Sequence, residues 1–409
     1  MGLAGSARSA VGALPPAVRE PLVRVAREGR RTADRLQAQA RRGLARPSAA
    51  HQWGFPEREP AAVRLLIGPT NSAGQGYAWA RAAERHSPDV AAKALGVANA
   101  FAFPTDYAVD PQHFHSARWG ADHREYVLSH FTHVVVEAGR TLFGRTLGDD
   151  CGPEVPVMRA SGLQVALLTH GSDARVPSRH AQRERYSPFT DPLDGLTAKL
   201  EATARRHHDL LSSHDGTVLV STPDLLLDLP QARWCPVVVD LERWTAPPLD
   251  RLPDRPVVVH APSKAALKGT ALVDPVLRDL DRRGLITYRR LEGVPASAMP
   301  QAYREADIVA DQFSLGSYGV AACEALAAGR VVLCHVADEV RELVHRATSL
   351  EAPLVESTPQ TLEEVITGLV AAPERVAAVS RAGQAYVHRI HDGRAAVDAL
   401  TPFLARTAP

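Results

Sequence analysis

The sequence predicts an α/β protein built from two doubly wound, Rossmann-like sheets that face a cleft. Three observations predict it. Apolar runs of strand length alternate with helix-forming segments along most of the chain. The 409 residues exceed one ordinary core and fit two domains of about 150 to 200 residues each. A stretch bearing Pro247, Pro248, Pro253 and Pro256 separates the two sets of strands.

Residues 1–60 form an arginine-rich leader and linker. Between Pro16 and Leu44, apolar residues such as Val18, Leu22, Val25 and Leu36 recur at helical steps, and arginines cover the remaining surface. Gly29 and Ala33 thin the apolar stripe, which disfavours a coiled coil. Two readings stay open: an exposed helix solvated by its arginines or lying on the first domain, and a helix resting on anionic lipid.

The first domain spans 61–245. Strands are predicted at Val63 to Gly68, His133 to Glu137, Gln164 to Thr169 and Thr217 to Ser221, each followed by a turn or a helix start. Ligands of such sheets gather at the carboxyl ends of the strands. After the first strand, Gly74, Gln75 and Gly76 form a turn whose glycines allow close backbone approach to a ligand, although a plain tight turn explains them equally well. After the third, His170 is followed by Gly171, Ser172, Asp173 and Arg175. Taken alone, a strand-end histidine serves structure more often than chemistry.

The second domain spans 246–385, and residues 386–409 form a terminal helix. Strands are predicted at Pro256 to His260, Thr287 to Leu291, Asp307 to Ala310 and Val331 to Cys334, alternating with helices near 270–282, 297–305, 319–328 and 337–346. The segment VVVHAPSKAALKGT reads as a buried strand and a loop carrying Ser263, Lys264 and Lys268, with Gly269 and Thr270 opening a helix. That layout builds an anion site, and a phosphate is the expected occupant. Further on, ADIVADQFSLGSYGVAACEALAAGRVV places Glu324 in a small-residue helix that starts near Gly319, directed at the same crevice. A diphosphate cradle beside a sugar-binding carboxylate points to a nucleotide-sugar site.

From Val63 to about Ala405, this order of Lys-Gly loop, ADI strand, YG turn and E-A-L-A-x-G-x-V-V resembles the GT-B glycosyltransferases, in particular the retaining family 4-like (group 1) enzymes. The resemblance matches Lys268 and Gly269 to the family's Lys-Gly pair and Glu324 to the second of its paired glutamates. Ser263, with Lys264 beside it, falls where the family has an arginine, and Gly316 falls where it has the first glutamate. The resemblance implies that Lys268 stabilises the leaving diphosphate with Lys264 as helper, that His170 lines the donor-sugar pocket, and that Glu324 holds the ribose. It further implies that the turn Gly74–Gln75–Gly76 faces acceptor and diphosphate. With Gly316 lacking a side chain, Asp311, at a strand end, is the expected substitute contact to the sugar, near Gln312, Ser314 and Ser317. Retention of configuration, no metal, no cofactor beyond the nucleotide sugar, and a tail that crosses back onto the first domain are also implied.

Acids and bases nearly cancel, 46 against 47, which argues against a nucleic-acid binder. The four cysteines lack CxxC spacing, and Cys323 and Cys334 sit in apolar runs, which favours a reducing cytoplasm over secretion. No apolar run reaches the roughly 18 residues of a spanning helix, so a soluble protein, or one peripheral at the inner membrane face, is expected. The pairs His207/His208 and His113/His115 lack further ligands at zinc-like spacing. The nucleophile elbow of a Ser/His/Asp hydrolase is missing. The expected function is transfer of a sugar to a hydroxyl of a glycan or lipid-linked acceptor in cell-surface polysaccharide synthesis. The alternatives are a nucleotide-sugar epimerase or hydrolase, and a degenerate paralogue that binds a glycan or a partner enzyme.

Overall fold

Runs rich in valine and leucine, bounded by turn residues, form strands that helices cover on both faces, which is why they read as continuous rather than alternating apolar segments. In the computed structural model, which describes residues 52–405 apart from 100 and 192, β1 is Val63–Gly68, β4 His133–Glu137, β5 Gln164–Thr169 and β6 Thr217–Val220. Three strands not anticipated from sequence complete this sheet: β2 at Val90–Val97, β3 at Tyr107–Val109 and β7 at Arg233–Trp234. The order is β3-β2-β1-β4-β5-β6-β7, parallel throughout.

The second sheet contains β8 (Val257–His260), β9 (Thr287–Arg290), β10 (Ile308–Ala310), β11 (Val331–Cys334) and β12 (Val355–Glu356) in the order β12-β11-β10-β8-β9, again all parallel. Its core joins Val258, Ile308, Ala310, Val331 and Leu333 to Val273, Leu277 and Leu280 of the helix Thr270–Arg282. These three helix residues recur at steps of four and three, which suits one buried side.

The chain divides after Phe55, and one unit from Pro56 onward holds both sheets. The arginine-rich helix expected between Pro16 and Leu44 lies outside the described residues. The last helices, Pro373–Ile390 and Arg394–Leu404, break at Gly393, whose φ of 106° brings the chain against Ala82. Ala396, Val397, Leu400 and Phe403 then join the core of the first sheet beside Trp79 and Ala83. Side chains also tie the two sheets together: the Ser317 hydroxyl donates to Asp224 at 2.7 Å, and the Tyr186 hydroxyl to Gln360 at 2.7 Å. No helix among the described residues is long and apolar enough to cross a membrane.

Candidate nucleotide-sugar site

The carboxyl ends of both sheets open onto one crevice, as connections in parallel α/β sheets dictate. Its main chamber, about 390 Å³, is lined from the first sheet by Ser72, Gln75, Phe101, Phe103, His170 and Thr222, and from the second by Ser263, Lys268, Gly319 and Glu324. A neighbouring chamber of about 240 Å³ shares His170, Ser263, Lys268 and Gly319 and adds Lys264, Gln312 and Ser317. One end of the main chamber is apolar, walled by Leu291, Val294, Met299 and Tyr303, with Trp244 and Tyr303 ring centroids 5.6 Å apart. The other end is cationic.

The cationic end is built by the loop after β8. Lys268 ends a single turn, Ala265–Lys268, and Gly269 takes a φ of 74° that lets the next helix start at Thr270. A Cβ at Gly269 would collide with the Ser314 hydroxyl and stand 3.1 Å from Phe313, so the glycine permits the loop to lie on the segment after β10. There the Lys268 ammonium meets Asp311 Oδ1 at 2.5 Å. An ammonium has three donors, so the pair fixes the lysine while leaving two N–H groups for a ligand. The helix Val320–Ala327 begins at the cleft with an extended Gly319 and no capping side chain, so its amide dipoles favour an anion there.

Glu324 lines the same chamber. Burial pushes its carboxyl up to about 8, against the opposing charges of Arg243 and Lys268. Because the folded value lies above the ordinary 4.5, the empty protein holds a proton that the unfolded chain releases. The carboxyl therefore costs stability progressively as pH rises from 4.5 to about 8. A ribose whose hydroxyls donate to Glu324 favours the ionised form. Nucleoside diphosphate binding is thus expected to release protons at pH 7, seen as a calorimetric enthalpy that varies with the ionisation enthalpy of the buffer. The number of protons released should fall in Glu324→Gln; an unchanged number there would remove Glu324 from this role.

Across the cleft, His170 follows β5. Burial pushes its ring down, but the hydrogen bond and charge of Glu137 outweigh this and hold it above the ordinary value. Trp79 stacks on the ring at 5.8 Å. The buried pair Arg175–Asp224, in which Arg175 Nε donates to Asp224 at 3.0 Å, lines the neighbouring chamber with His170. Burial raises the Asp224 carboxyl, but Arg175 and the Ser317 hydroxyl outweigh it, so its value falls below 3.8. Its stabilising contribution is therefore present above pH 3.8 and lost as pH falls through the lower folded value.

Of the residues singled out from sequence, Gln75, His170, Ser263, Lys264, Lys268, Gln312, Gly319 and Glu324 line the crevice. Five do not. Thr270 is buried, its hydroxyl 2.8 Å from His260 Nε2, and it serves the scaffold. Asp311 is buried against Lys268 and lines neither chamber. Gly269 shapes the loop, and Gly74, with φ 76°, packs on Phe103. Gly76 sits inside the helix Gln75–His86, where a Cβ would stand 3.3 Å from both Asn71 and Glu137. Even Gln75 is partly committed, since its amide exchanges hydrogen bonds with the Val238 backbone at 2.7 and 3.1 Å.

Gly316 has a structural reason to depart from the glutamate pattern. Its φ is 59°, and a Cβ there would collide with the carboxylate of Glu184. Glu184 arrives from the end of the helix Pro177–Arg183 and meets His335 Nε2 at 3.1 Å, while His335 Nδ1 meets Glu356 at 2.6 Å. The two carboxylates raise the His335 ring to about 9. This carboxylate therefore joins the sheets and does not enter the main chamber. Glu137 and Tyr303 were not singled out from the sequence. The one local signal for Glu137 was a charge ending the buried apolar run HVVVE.

No family model and no curated protein sequence matches this chain. Among solved structures it is similar to Anabaena HepE in complex with UDP-glucose, at 13% identity and a TM-score of 0.52, covering 84% of this chain and 99% of that one. It is also similar to sucrose-phosphate synthase from Thermosynechococcus elongatus, at 12% identity and a TM-score of 0.54, covering 83% of this chain and 96% of that one. At such identities the likeness is one of fold, and the fold is GT-B, two parallel α/β sheets facing a cleft.

Proposed function

We propose that this protein is a glycosyltransferase that moves a sugar from a nucleoside diphosphate sugar to a hydroxyl acceptor held in the cleft. The observation that carries the reading is convergence: Lys268, the amino end of the helix Val320–Ala327 and Glu324 share one chamber with His170 opposite. The apolar wall Leu291–Tyr303 suits the flat face of a nucleobase, Glu324 the ribose and Lys268 the diphosphate. The UDP-glucose complex of HepE, which shares the fold, supports a uridine donor.

In this reading the acceptor oxygen bonds to the anomeric carbon as the bond to the diphosphate breaks. The acceptor proton passes to the departing phosphate on the same face, and configuration is retained. Charge grows on the phosphate, so a fixed ammonium and helix-end amides stabilise the transition state more than the ground state. Cationic side chains hold the diphosphate, and the reaction needs neither metal nor further cofactor. The acceptor is a glycan or lipid-linked hydroxyl in polysaccharide synthesis, met at the inner face of the membrane through the arginine-rich leader. Cosedimentation with anionic liposomes that survives loss of residues 1–50 would refute that last point.

The reaction itself is tested by following nucleoside diphosphate release in EDTA with and without added glycan acceptors, and by assigning the product anomer by NMR. Acceptor-dependent release with retention is expected. Release equally fast without acceptor would favour a hydrolase, and isomerised donor an epimerase.

A further inference from the structure

Glu137 ends β4 fully buried, between two parts of the cleft wall. Its Oε1 lies 2.9 Å from His170 Nε2, and its Oε2 accepts the Asn71 backbone N–H at 2.7 Å. Asn71 in turn accepts from the Tyr77 N–H at 3.1 Å and donates to the Pro104 carbonyl at 2.8 Å, holding the turn that presents Ser72 and Ala73 to the chamber. Three non-glycine residues around this carboxylate have positive φ: Asn71 at 42°, Ala73 at 51° and Ala138 at 55°. Each such residue costs roughly 1 kcal/mol or more, and such strain persists where the surroundings over-determine it, often at functional sites. His170 Nδ1 has no hydrogen-bond partner among the described residues, and its ring lines both chambers.

We propose that Glu137 is the positioning residue of this site, setting the tautomer of His170 so that Nδ1 offers a lone pair to a hydroxyl of the bound donor sugar. The proposal rests on the glycosyl-transfer reading for the identity of that hydroxyl. A carboxylate only accepts hydrogen bonds. A neutral His170 ring facing it therefore carries its proton on Nε2, and Nδ1 is the acceptor. Because the same carboxylate holds Asn71, the turn and the ring share one anchor.

Glu137→Gln tests this with almost no change in size. The Asn71 backbone can only donate, so the glutamine oxygen must face it and the NH₂ group must face His170. Nε2 then has to accept, and the ring proton moves to Nδ1. Nitrogen-15 shifts of the imidazole rings, with His170 assigned by its loss in His170→Ala, read this directly and need no ligand. Read at a pH high enough to leave the ring neutral, since Glu137 raises it, the expected result is an Nε2–H ring in the wild type and an Nδ1–H ring in Glu137→Gln. Turnover of the sugar nucleotide that the wild type uses should fall, with about 10⁴ as the upper bound set by a carboxylate-to-amide exchange behind a general-base histidine. Affinity for the free nucleoside diphosphate should stay unchanged. The acidic limb of the pH profile should move to lower pH, since the charge that raises His170 is gone. Glu137→Asp, which keeps the carboxylate, should retain the Nε2–H ring and more turnover than the amide.

An unchanged tautomer in Glu137→Gln, or a changed tautomer with wild-type turnover and pH profile, would overturn the proposal. A wild type that binds no nucleoside diphosphate would instead sink the transfer reading, while the ring nitrogens still decide what Glu137 does.

Discussion

Lys268→Ala should lower turnover by on the order of a hundredfold or more, the scale of removing one donor aimed at charge developing in a transition state. The ammonium is held at 2.5 Å by Asp311 in a chamber wall, so it is ordered before substrate arrives and needs little rearrangement during reaction. Removing it also leaves the Asp311 carboxylate, only 3% exposed, without its cation and next to an incoming diphosphate. Affinity for the free diphosphate should therefore fall as well. Lys268→Ala combined with Asp311→Ala should recover part of the binding and little of the turnover. Steady-state kinetics with calorimetry on the single and double variants checks this, and near-normal turnover in the single variant would remove Lys268 from the diphosphate.

Asp224→Ala should cost about 3 to 5 kcal/mol of stability, the range found when one partner of a buried ion pair is removed. Arg175 is 5% exposed and would keep its charge without a counter-ion, and the Ser317 hydroxyl would lose its acceptor from the other sheet. Urea unfolding measures the loss. Replacing both partners by apolar residues, Arg175→Met with Asp224→Leu, should restore much of it, because desolvating an unpaired charge is the dominant cost. A loss below about 1 kcal/mol in the single variant would place the pair in a better-solvated setting than the structure shows.

Much of the fold was legible because β1, β4, β5 and β11 each carry three or four consecutive apolar residues, and their observed ends coincide with the predicted ones. The strand β2 was not, since VAAKALGV is rich in alanine and carries a lysine, both better suited to a helix; its place between β1 and β3 overrides that preference. Two-residue strands such as β7 and β12 have no periodicity to read.

The site was legible where its chemistry follows a strand along the chain, as with Lys268, Glu324 and His170. It was hidden where chemistry is made between neighbouring strands. Glu137 and His170 meet because β4 and β5 pair in parallel with Glu137 opposite Leu168, a relation that no spacing in the sequence displays. The apolar wall of the chamber likewise collects Trp244, Leu291 and Tyr303 from separate segments. Gly316 stands where the resemblance expects a glutamate, and its neighbour Glu184, from the other sheet, already fills the space a side chain would need.

The most direct test of the account is thermal unfolding of the wild type, in EDTA, against UDP, GDP, ADP and dTDP and their glucose conjugates. A nucleoside diphosphate that binds this cleft should raise stability by about 2.7 kcal/mol at one hundred times its dissociation constant. The account predicts such a shift for one base in preference to the others, shared by the diphosphate and its sugar conjugate and diminished in Lys268→Ala. No shift with any of the eight ligands, or a shift that appears only when a divalent metal is added, would contradict it.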